Sequence, residues 1–499
     1  MPISGRMRTV KSLPVRVFAP LAICLALLSC GGKNETPQVI SQWTSVENPQ
    51  ETVNAAEIEV GAGQRYIGGG DCTNFVLQGQ ALADSAAEAA VLFHNDGKDG
   101  GYEMLIHNGA SDGTRKTGSL STVRNLYHSL ADSGKWFDFA IAVRGKNISI
   151  AINGTEVVCY TEPEKPYRLP QYAKRLLGHG KFALAGYKGT VKFRDIKLTH
   201  LDADAVNPND TMPPVDEQKD GAIRLQQQNF PVIDYHVHLK GGLTLDMARA
   251  KSMNYGINYG ISINLGEGGI GTMLPDDSAA TAYCKEMKSA PFLMGAQGEG
   301  RRWIAKFTRP VLDGFDYLFT DALTIVDKGR ICRIYRPEEV RLDGRTKEQY
   351  MDMLVDQIVK ILTNEPVDFY ANPTFLPEIM QDEYDKYWTD TRINRLLDVL
   401  QRNGIALEIN SRYKLPSYKI IRMAKERGLK FTFGTNNETP DFGRSEYAIG
   451  AVEKCGLAAG DIWFPTMSCK SGRKTVNYNH IGDPKAAPVP IAELENKKN

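Results

Sequence analysis

The chain has few of the features that usually settle a protein's class. None of its eight cysteines forms a Cys-x-x-Cys pair or another zinc spacing, which excludes a finger- or ribbon-type zinc module. They are also too scattered for a disulfide framework, although one or two pairs stay open. Net charge is nearly absent, with 60 Lys and Arg against 59 Asp and Glu, so nothing in the balance calls for a nucleic acid partner. Beyond residue 28 no apolar run is long enough to cross a bilayer. Imidazole is scarce in the second half, where only His236, His238 and His480 follow residue 200.

What is present begins at the N-terminus. Arg6, Arg8, Lys11 and Arg16 form a basic region ahead of the short apolar stretch 17–28. Leu27-Leu28-Ser29-Cys30 then reads as a lipobox, with signal segment 1–29 removed and Cys30 acylated. The expected location is the cell envelope, lipid-anchored at the outer membrane, on its periplasmic or outer face. The polar stretch 30–53 reads as a tether.

A chain of 499 residues exceeds one ordinary core, so more than one domain is expected. Residues 54–201 carry the alternation of an all-β unit, clearest in Phe137-Asp138-Phe139-Ala140-Ile141-Ala142-Val143 and in Ile148-Ser149-Ile150-Ala151-Ile152. The intervening Arg144-Gly145-Lys146-Asn147 and the later Asn153-Gly154 supply turns, and strands at this spacing predict a β-sandwich. On Tyr102–Ile106 and the following His107, Glu103 and His107 fall on one face and Tyr102 and Met104 on the other. A carboxylate and an imidazole are therefore expected together on the face away from the core.

Residues 202–228 have linker composition. From 229 the pattern changes to apolar strands at 232–238, 258–265, 291–298, 315–320, 367–372, 404–410 and 429–434, with an eighth candidate at 461–464. Amphipathic stretches lie between them at 245–254, 346–363, 391–402, 418–427 and 444–454. This alternation predicts a distorted (β/α) barrel of seven or eight strands spanning 229–470, followed by a polar tail at 471–499.

Asp234-Tyr235-His236-Val237-His238 ends the first of these strands. Histidines at i and i+2 share a strand face and can meet one cation. Polar groups gather at the other strand ends as well: Asn264 with Glu267, Glu299 with Arg301 and Arg302, Asp321, Asn372, Glu408 with Asn410 and Arg412, and Asn436 with Glu438. In a barrel these positions converge at one mouth.

The sandwich segment resembles the 3-keto-disaccharide hydrolase family, also described as 3-keto-glucoside 1,2-lyase/3-keto-glucal hydratase domains. The resemblance is carried by Gly101-Tyr102-Glu103-Met104-Leu105-Ile106, Thr117-Gly118-Ser119-Leu120, Gly134-Lys135-Trp136, Gly145-Lys146-Asn147-Ile148, Ile152-Asn153-Gly154, Gly180-Lys181-Phe182-Ala183-Leu184 and Val191-Lys192-Phe193-Arg194-Asp195-Ile196-Lys197. It implies a concanavalin-like jelly roll that binds or cleaves 3-keto-glycosides. Glu103 would be an acid/base group or sugar-hydroxyl ligand, and His107 joins it by facing. Where the family often has Gln-x-His, this chain has Ala185-Gly186-Tyr187-Lys188.

The second half resembles the polymerase-and-histidinol-phosphatase (PHP) superfamily of metal-dependent hydrolases. The carrying pieces are Ile233-Asp234-Tyr235-His236-Val237-His238, Gly295-Ala296-Gln297-Gly298-Glu299, Ala371-Asn372-Pro373, Ala406-Leu407-Glu408-Ile409-Asn410 and Gly434-Thr435-Asn436-Asn437-Glu438. It implies one or two divalent ions, Zn, Mn or Fe, held by His236, His238, Glu299 and Asp321, with Asn436 or Glu438 completing the shell. Glu408 or Glu438 would act as general base. Arg301, Arg302 and Arg412 would clamp an anionic group, with Asn410 beside them. The chain departs from that pattern at Asn372, Asn436 and Glu438, where the superfamily has His, Asp and His.

The expectation is an envelope lipoprotein acting on a glycan or sugar-derived molecule, with a metal-dependent barrel. The alternatives are a phosphoesterase or amidohydrolase-like enzyme with a sugar-binding module, and a non-catalytic glycan-binding lipoprotein.

Overall fold

The computed structural model describes residues 36–96, 100–109, 115–266, 272–440 and 445–466. Cys30, the signal segment, Glu267, Cys469 and the tail 471–499 lie outside the described residues. Two sheets form the N-terminal unit. One runs in spatial order Gln38–Val39, Thr190–His200, Phe75–Ala83, Trp136–Arg144, Asn147–Ile152, Thr155–Thr161, with Glu57–Gly61 also on Thr190–His200. The other runs Thr52–Asn54, Gln42–Ser45, Arg65–Cys72, Gly180–Lys188, Glu88–Asn95, Tyr102–Ile106. Within each sheet all pairs are antiparallel.

The alternating side chains Phe137, Phe139, Ile141 and Val143 meet Phe75, Phe93 and Phe182 in the core between the sheets. Both expected hairpin turns form, with Gly145 at φ 58° and Asn153 and Gly154 at φ 48° and 75°, as tight turns between right-twisted strands require. The sandwich begins earlier than residue 54. Strand Gln42–Ser45 delivers Trp43 into the core, where Gly68 leaves room for its ring: a Cβ there would lie 2.5 Å from Trp43 Cε3. The stretch read as tether is thus part of a sheet from Gln38 onward.

The second unit is a closed parallel barrel of seven strands. Their order is Ile233–His238, Phe431–Gly434, Ala406–Asn410, Phe369–Tyr370, Tyr317–Thr320, Leu293–Glu299, Asn258–Gly266, returning to Ile233–His238. The expected eighth strand at 461–464 makes only an isolated bridge, Phe431 with Ile462. Its Trp463 turns inward instead, within 5.5 to 6.4 Å of the Tyr235, Tyr317 and Phe369 rings, and closes the barrel floor. The expected helices form as Leu245–Tyr255, Lys347–Asn364, Asp390–Asn403, Tyr418–Glu426 and Glu446–Cys455. Asp277–Met287 adds one that the sequence pattern did not reveal.

First and last strands share a single backbone register pair, Asp234 with Phe433. Side chains close the rest of the seam. The Asp234 carboxylate accepts from the His236 and Thr435 amides at 3.1 Å and from Thr435 Oγ1 at 2.6 Å. Asn437 accepts from the His238 amide at 2.8 Å and donates to its carbonyl at 3.0 Å.

The two units are docked, and the segment 202–228 is more than a spacer. Its helix Gly221–Gln227 buries Gln226, which accepts from the Asn125 amide at 3.0 Å and, through its carbonyl, from Asn125 Nδ2 at 2.9 Å. Arg124 donates to the Asn254 carbonyl, Asn258 donates to the Asn125 carbonyl at 2.8 Å, and the Tyr127 hydroxyl donates to the Phe230 carbonyl at 3.3 Å. These partners lie at or just before the N-terminal ends of barrel strands, so the sandwich docks beneath the floor and leaves the mouth open at the opposite end.

The barrel interior tests the packing account. Gly260 and Gly295 flank Tyr317, and a Cβ at 295 would lie 2.2 Å from its ring. Gly295→Ala should therefore cost about 3 kcal/mol or more, read as a lower urea midpoint for the barrel transition.

Candidate functional site

At the barrel mouth a cavity of about 760 Å³ is lined by His238, Lys240, Gln297, Glu299, Asp321 and Arg412, with Tyr335, Phe375, Tyr413, Asn436 and Glu438 around them. The strand periodicity does bring the histidines together: the His236 and His238 rings are 5.3 Å apart between centroids. His236 is fully buried beneath the cavity. Its Nδ1 is 2.6 Å from Glu408 Oε1, and its Nε2 is buried with no hydrogen-bond partner. A carboxylate that fixes one ring nitrogen and aims the other is the usual support of a metal-ligating histidine.

Glu408 stands behind the site. Its second oxygen accepts from the Asn372 amide at 2.6 Å and from Asn410 Nδ2 at 3.0 Å, so it orients His236 and is not on the cavity wall. Asn410 is likewise buried, donating also to Asn372 Oδ1 at 3.1 Å.

Glu299 and Asp321 line the cavity side by side, joined by one amide. Gln297 Nε2 donates to Glu299 Oε1 and to Asp321 Oδ2, each at 3.1 Å. Asn372 Nδ2 adds a bond to Asp321 Oδ2 at 2.9 Å. Burial and the neighbouring Asp321 push the Glu299 carboxyl up to about 8. Burial, then the nearby His236, pulls His238 well below its ordinary value. Asn436 donates to Asn372 at 3.2 Å and accepts from Lys240 Nζ at 3.0 Å. Among the described residues no three His, Cys, Asp or Glu side chains converge as metal ligands.

Of the three arginines expected to clamp an anion, only Arg412 reaches the cavity. It donates to the Asn436 carbonyl at 3.1 Å and pairs with Glu438, which also lines the wall. Arg301 is turned away by its positive φ of 49° and pairs with Glu365 at 3.0 Å. Arg302 is exposed and off the cavity. Their sequence position beside Glu299 is explained by that turn, which directs both side chains outward from the mouth. Lys240 and Gln297 were missed. Both continue an i, i+2 alternation from residues already singled out, His238 and Glu299, and that periodicity was the available signal.

The sandwich presents a second polar cluster. Glu103 accepts from Arg175 Nη2 and from the Tyr187 hydroxyl, each at 2.7 Å. Burial would raise its carboxyl, but Arg175, Tyr187 and Ser121 outweigh that and hold it below its ordinary value. Glu103 is therefore a carboxylate at neutral pH. The floor beside it is small and apolar, made by Ala90, Leu92, Ala183 and Ala185. His107 turns its Nδ1 to the Arg115 carbonyl at 3.0 Å. Tyr187, in the stretch where the chain departs from the family pattern, is 42% exposed.

Residues 36–199 match the family model described as a 3-keto-alpha-glucoside-1,2-lyase-like domain. The N-terminal unit is thus a 3-keto-disaccharide hydrolase-like domain. A candidate glycosyl hydrolase of Parabacteroides distasonis is similar at 13% identity and a TM-score of 0.27, over 30% of this chain and 83% of that one. A second candidate glycosyl hydrolase from that organism aligns at 18% identity and a TM-score of 0.25, over 29% and 87%. A carbohydrate-binding module of family CBM66 from Bacillus subtilis aligns at 13% and 0.21, over 32% and 94%. No curated protein matches the chain.

The Glu103 ion pair has a signed pH consequence. Its folded-state pKa lies below the unfolded value, so its contribution is present at neutral pH and lost as pH falls through the carboxylate range. Glu103→Gln should cost about 1–2 kcal/mol at pH 7 and flatten the acid limb of a stability–pH curve measured by urea unfolding. An unchanged acid limb would mean that Glu103 is no better stabilised folded than unfolded.

Proposed function

We propose that this protein is a carbohydrate-active enzyme of the cell envelope whose sandwich binds and cleaves 3-keto-glycosides. The observation that carries the proposal is Glu103, held ionised at the edge of a small-residue floor in a domain matching a 1,2-lyase-like family. A ketone at C3 acidifies the hydrogen on C2. A carboxylate positioned there takes that proton, the electron pair forms the C1–C2 double bond, and the glycosidic C1–O bond breaks. Addition of water across the new double bond would complete net hydrolysis. Arg175 and Tyr187 hold Glu103 in the base form, and the exposed Tyr187 hydroxyl is placed to meet a sugar oxygen.

The barrel is proposed as a metal-dependent hydrolase acting on a sugar derivative. The buried Nε2 of His236, backed by Glu408, fits a divalent Zn, Mn or Fe ion. His236 and His238 would hold it, with Glu299 and Asp321 as oxygen donors and Asn436 beside them. A bound ion supplies an acidified water and a polarised scissile group. Lys240 and Arg412 supply positive charge to an anionic substrate group at the cavity wall, and Glu438 is the carboxylate nearest the opening. A second reading, a barrel that binds without metal, is favoured by the Lys240 ammonium seated on Asn436 and by the Gln297 amide tying Glu299 to Asp321. Anchoring through acylated Cys30 would place both sites at the membrane surface.

Two measurements test this. Elemental analysis of the purified chain should find near-stoichiometric Zn, Mn or Fe, lost in the His236→Ala/His238→Ala double variant. Absence of metal after reconstitution would leave the barrel as a binding cavity. Turnover of a 3-keto-glucoside should fall about a hundredfold or more in Glu103→Gln, with KM little changed, whereas wild-type-like turnover would remove Glu103 from the chemistry.

A further inference from the structure

The underside of the barrel and the open face of the sandwich enclose a second cavity of about 830 Å³, at the end opposite the mouth. Chemistry in a (β/α) barrel gathers at the C-terminal ends of the strands, and the other face serves stability. The barrel's own reaction therefore gives no account of this cleft. From the sandwich it is walled by Leu105, His107, Arg115 and Lys188, and from the barrel by Lys430, Trp463 and Phe464.

Three features define what would fit. Among the described residues the charge is one-sided: Arg115, Lys188 and Lys430 are cationic, and Glu88, the register partner of Lys188, is the single acidic residue on the wall. The cations are reachable, since Lys188 and Lys430 are exposed and Arg115 is half-buried. Lys430 Nζ is aimed across the rim, donating to the Gly460 carbonyl at 2.5 Å. The remaining wall is mixed, with Ser85, Asn229 and Thr466 polar and the aromatic residues Trp463 and Phe464 buried at its base. Hydrogen-bonding groups beside one-sided positive charge suit a sugar ring that carries a carboxylate.

The strand that carries Glu103 also runs along the cleft. Glu103, Leu105 and His107 follow one another on the same face of one edge strand, at about 7 Å per pair of residues, and the last two line the cleft. Tyr187, hydrogen-bonded to Glu103, immediately precedes Lys188.

We propose that this cleft is a subsite for an acidic sugar unit, so that the sandwich takes a uronic acid-bearing oligosaccharide with its keto-glycoside end at Glu103 and its carboxylate among Arg115, Lys188 and Lys430. The barrel thereby contributes a wall to the sandwich's substrate site. This deepens the reading of the sandwich face as a sugar site and rests on it.

The test is isothermal titration of the full chain with tetragalacturonate and with its fully methyl-esterified, uncharged form. Tetragalacturonate should bind more tightly, and its affinity should fall with salt. Lys430→Glu, an exposed barrel residue distant in sequence from Glu103, should weaken it about tenfold while leaving turnover of a small neutral 3-keto-glucoside unchanged. Lys188→Glu should act in the same direction from the other wall. Equal binding of the two tetrasaccharides, or tetragalacturonate affinity unmoved by both variants, overturns the proposal. The two readings fail separately. Intact keto-glucoside turnover without a uronate preference removes only the subsite, and uronate binding sensitive to Lys430 without turnover removes only the lyase chemistry.

Discussion

The first and last strands of the barrel meet through one backbone register pair, and a buried aspartate, one side-chain amide and one further backbone bond do the rest of the joining. That seam fixes everything at the mouth. Asp234 holds Thr435 and the His236 amide, Asn437 clamps both backbone groups of His238, and the Asn436 amide donates to the His236 carbonyl at 2.8 Å. The strand that carries the histidines and the loop that carries Asn436 and Glu438 thus share one frame. Buried polar groups so fully bonded to one another have few alternative arrangements of comparable energy.

Behind the seam the network continues inward without a break. Lys240 donates to Asn436, Asn436 to Asn372, and Asn372 to Asp321, which Gln297 joins to Glu299. Three amides in this relay occupy positions where charged or imidazole donors would give a stronger metal site. Amides both donate and accept, so they connect a lysine to a carboxylate pair without leaving a buried charge unmatched. The cavity is therefore electrically organised by Lys240, Asp321 and Arg412 even with no ion counted.

Much of the architecture was legible in the chain. Seven apolar segments bounded by turn residues became seven strands, and the five amphipathic stretches became helices almost to the residue, with Thr or Ser ahead of each and Gly ending three of them. The paired histidines followed from period-2 geometry alone, whereas Glu103 and His107 take separate partners, Arg175 and Tyr187 for one and the Arg115 carbonyl for the other. Other features were hidden because they depend on contacts distant in sequence. Nothing near Arg301 announces Glu365, its partner 64 residues on, and nothing in the polar stretch before residue 54 shows that Gly68 has vacated a place for Trp43. Tyr187 looked like a departure from a family pattern and proved to be a hydrogen-bond donor to Glu103.

The docking arm around Arg124, Asn125 and Tyr127 has a consequence for the order in which the chain is made. Its partners Gln226 and Asn254 follow 101 and 130 residues later. At roughly 5–20 residues per second, the sandwich leaves the ribosome several seconds before the surface that covers this arm exists. During that interval a tyrosine destined for a buried aromatic cluster stands uncovered, and the barrel floor later assembles around it.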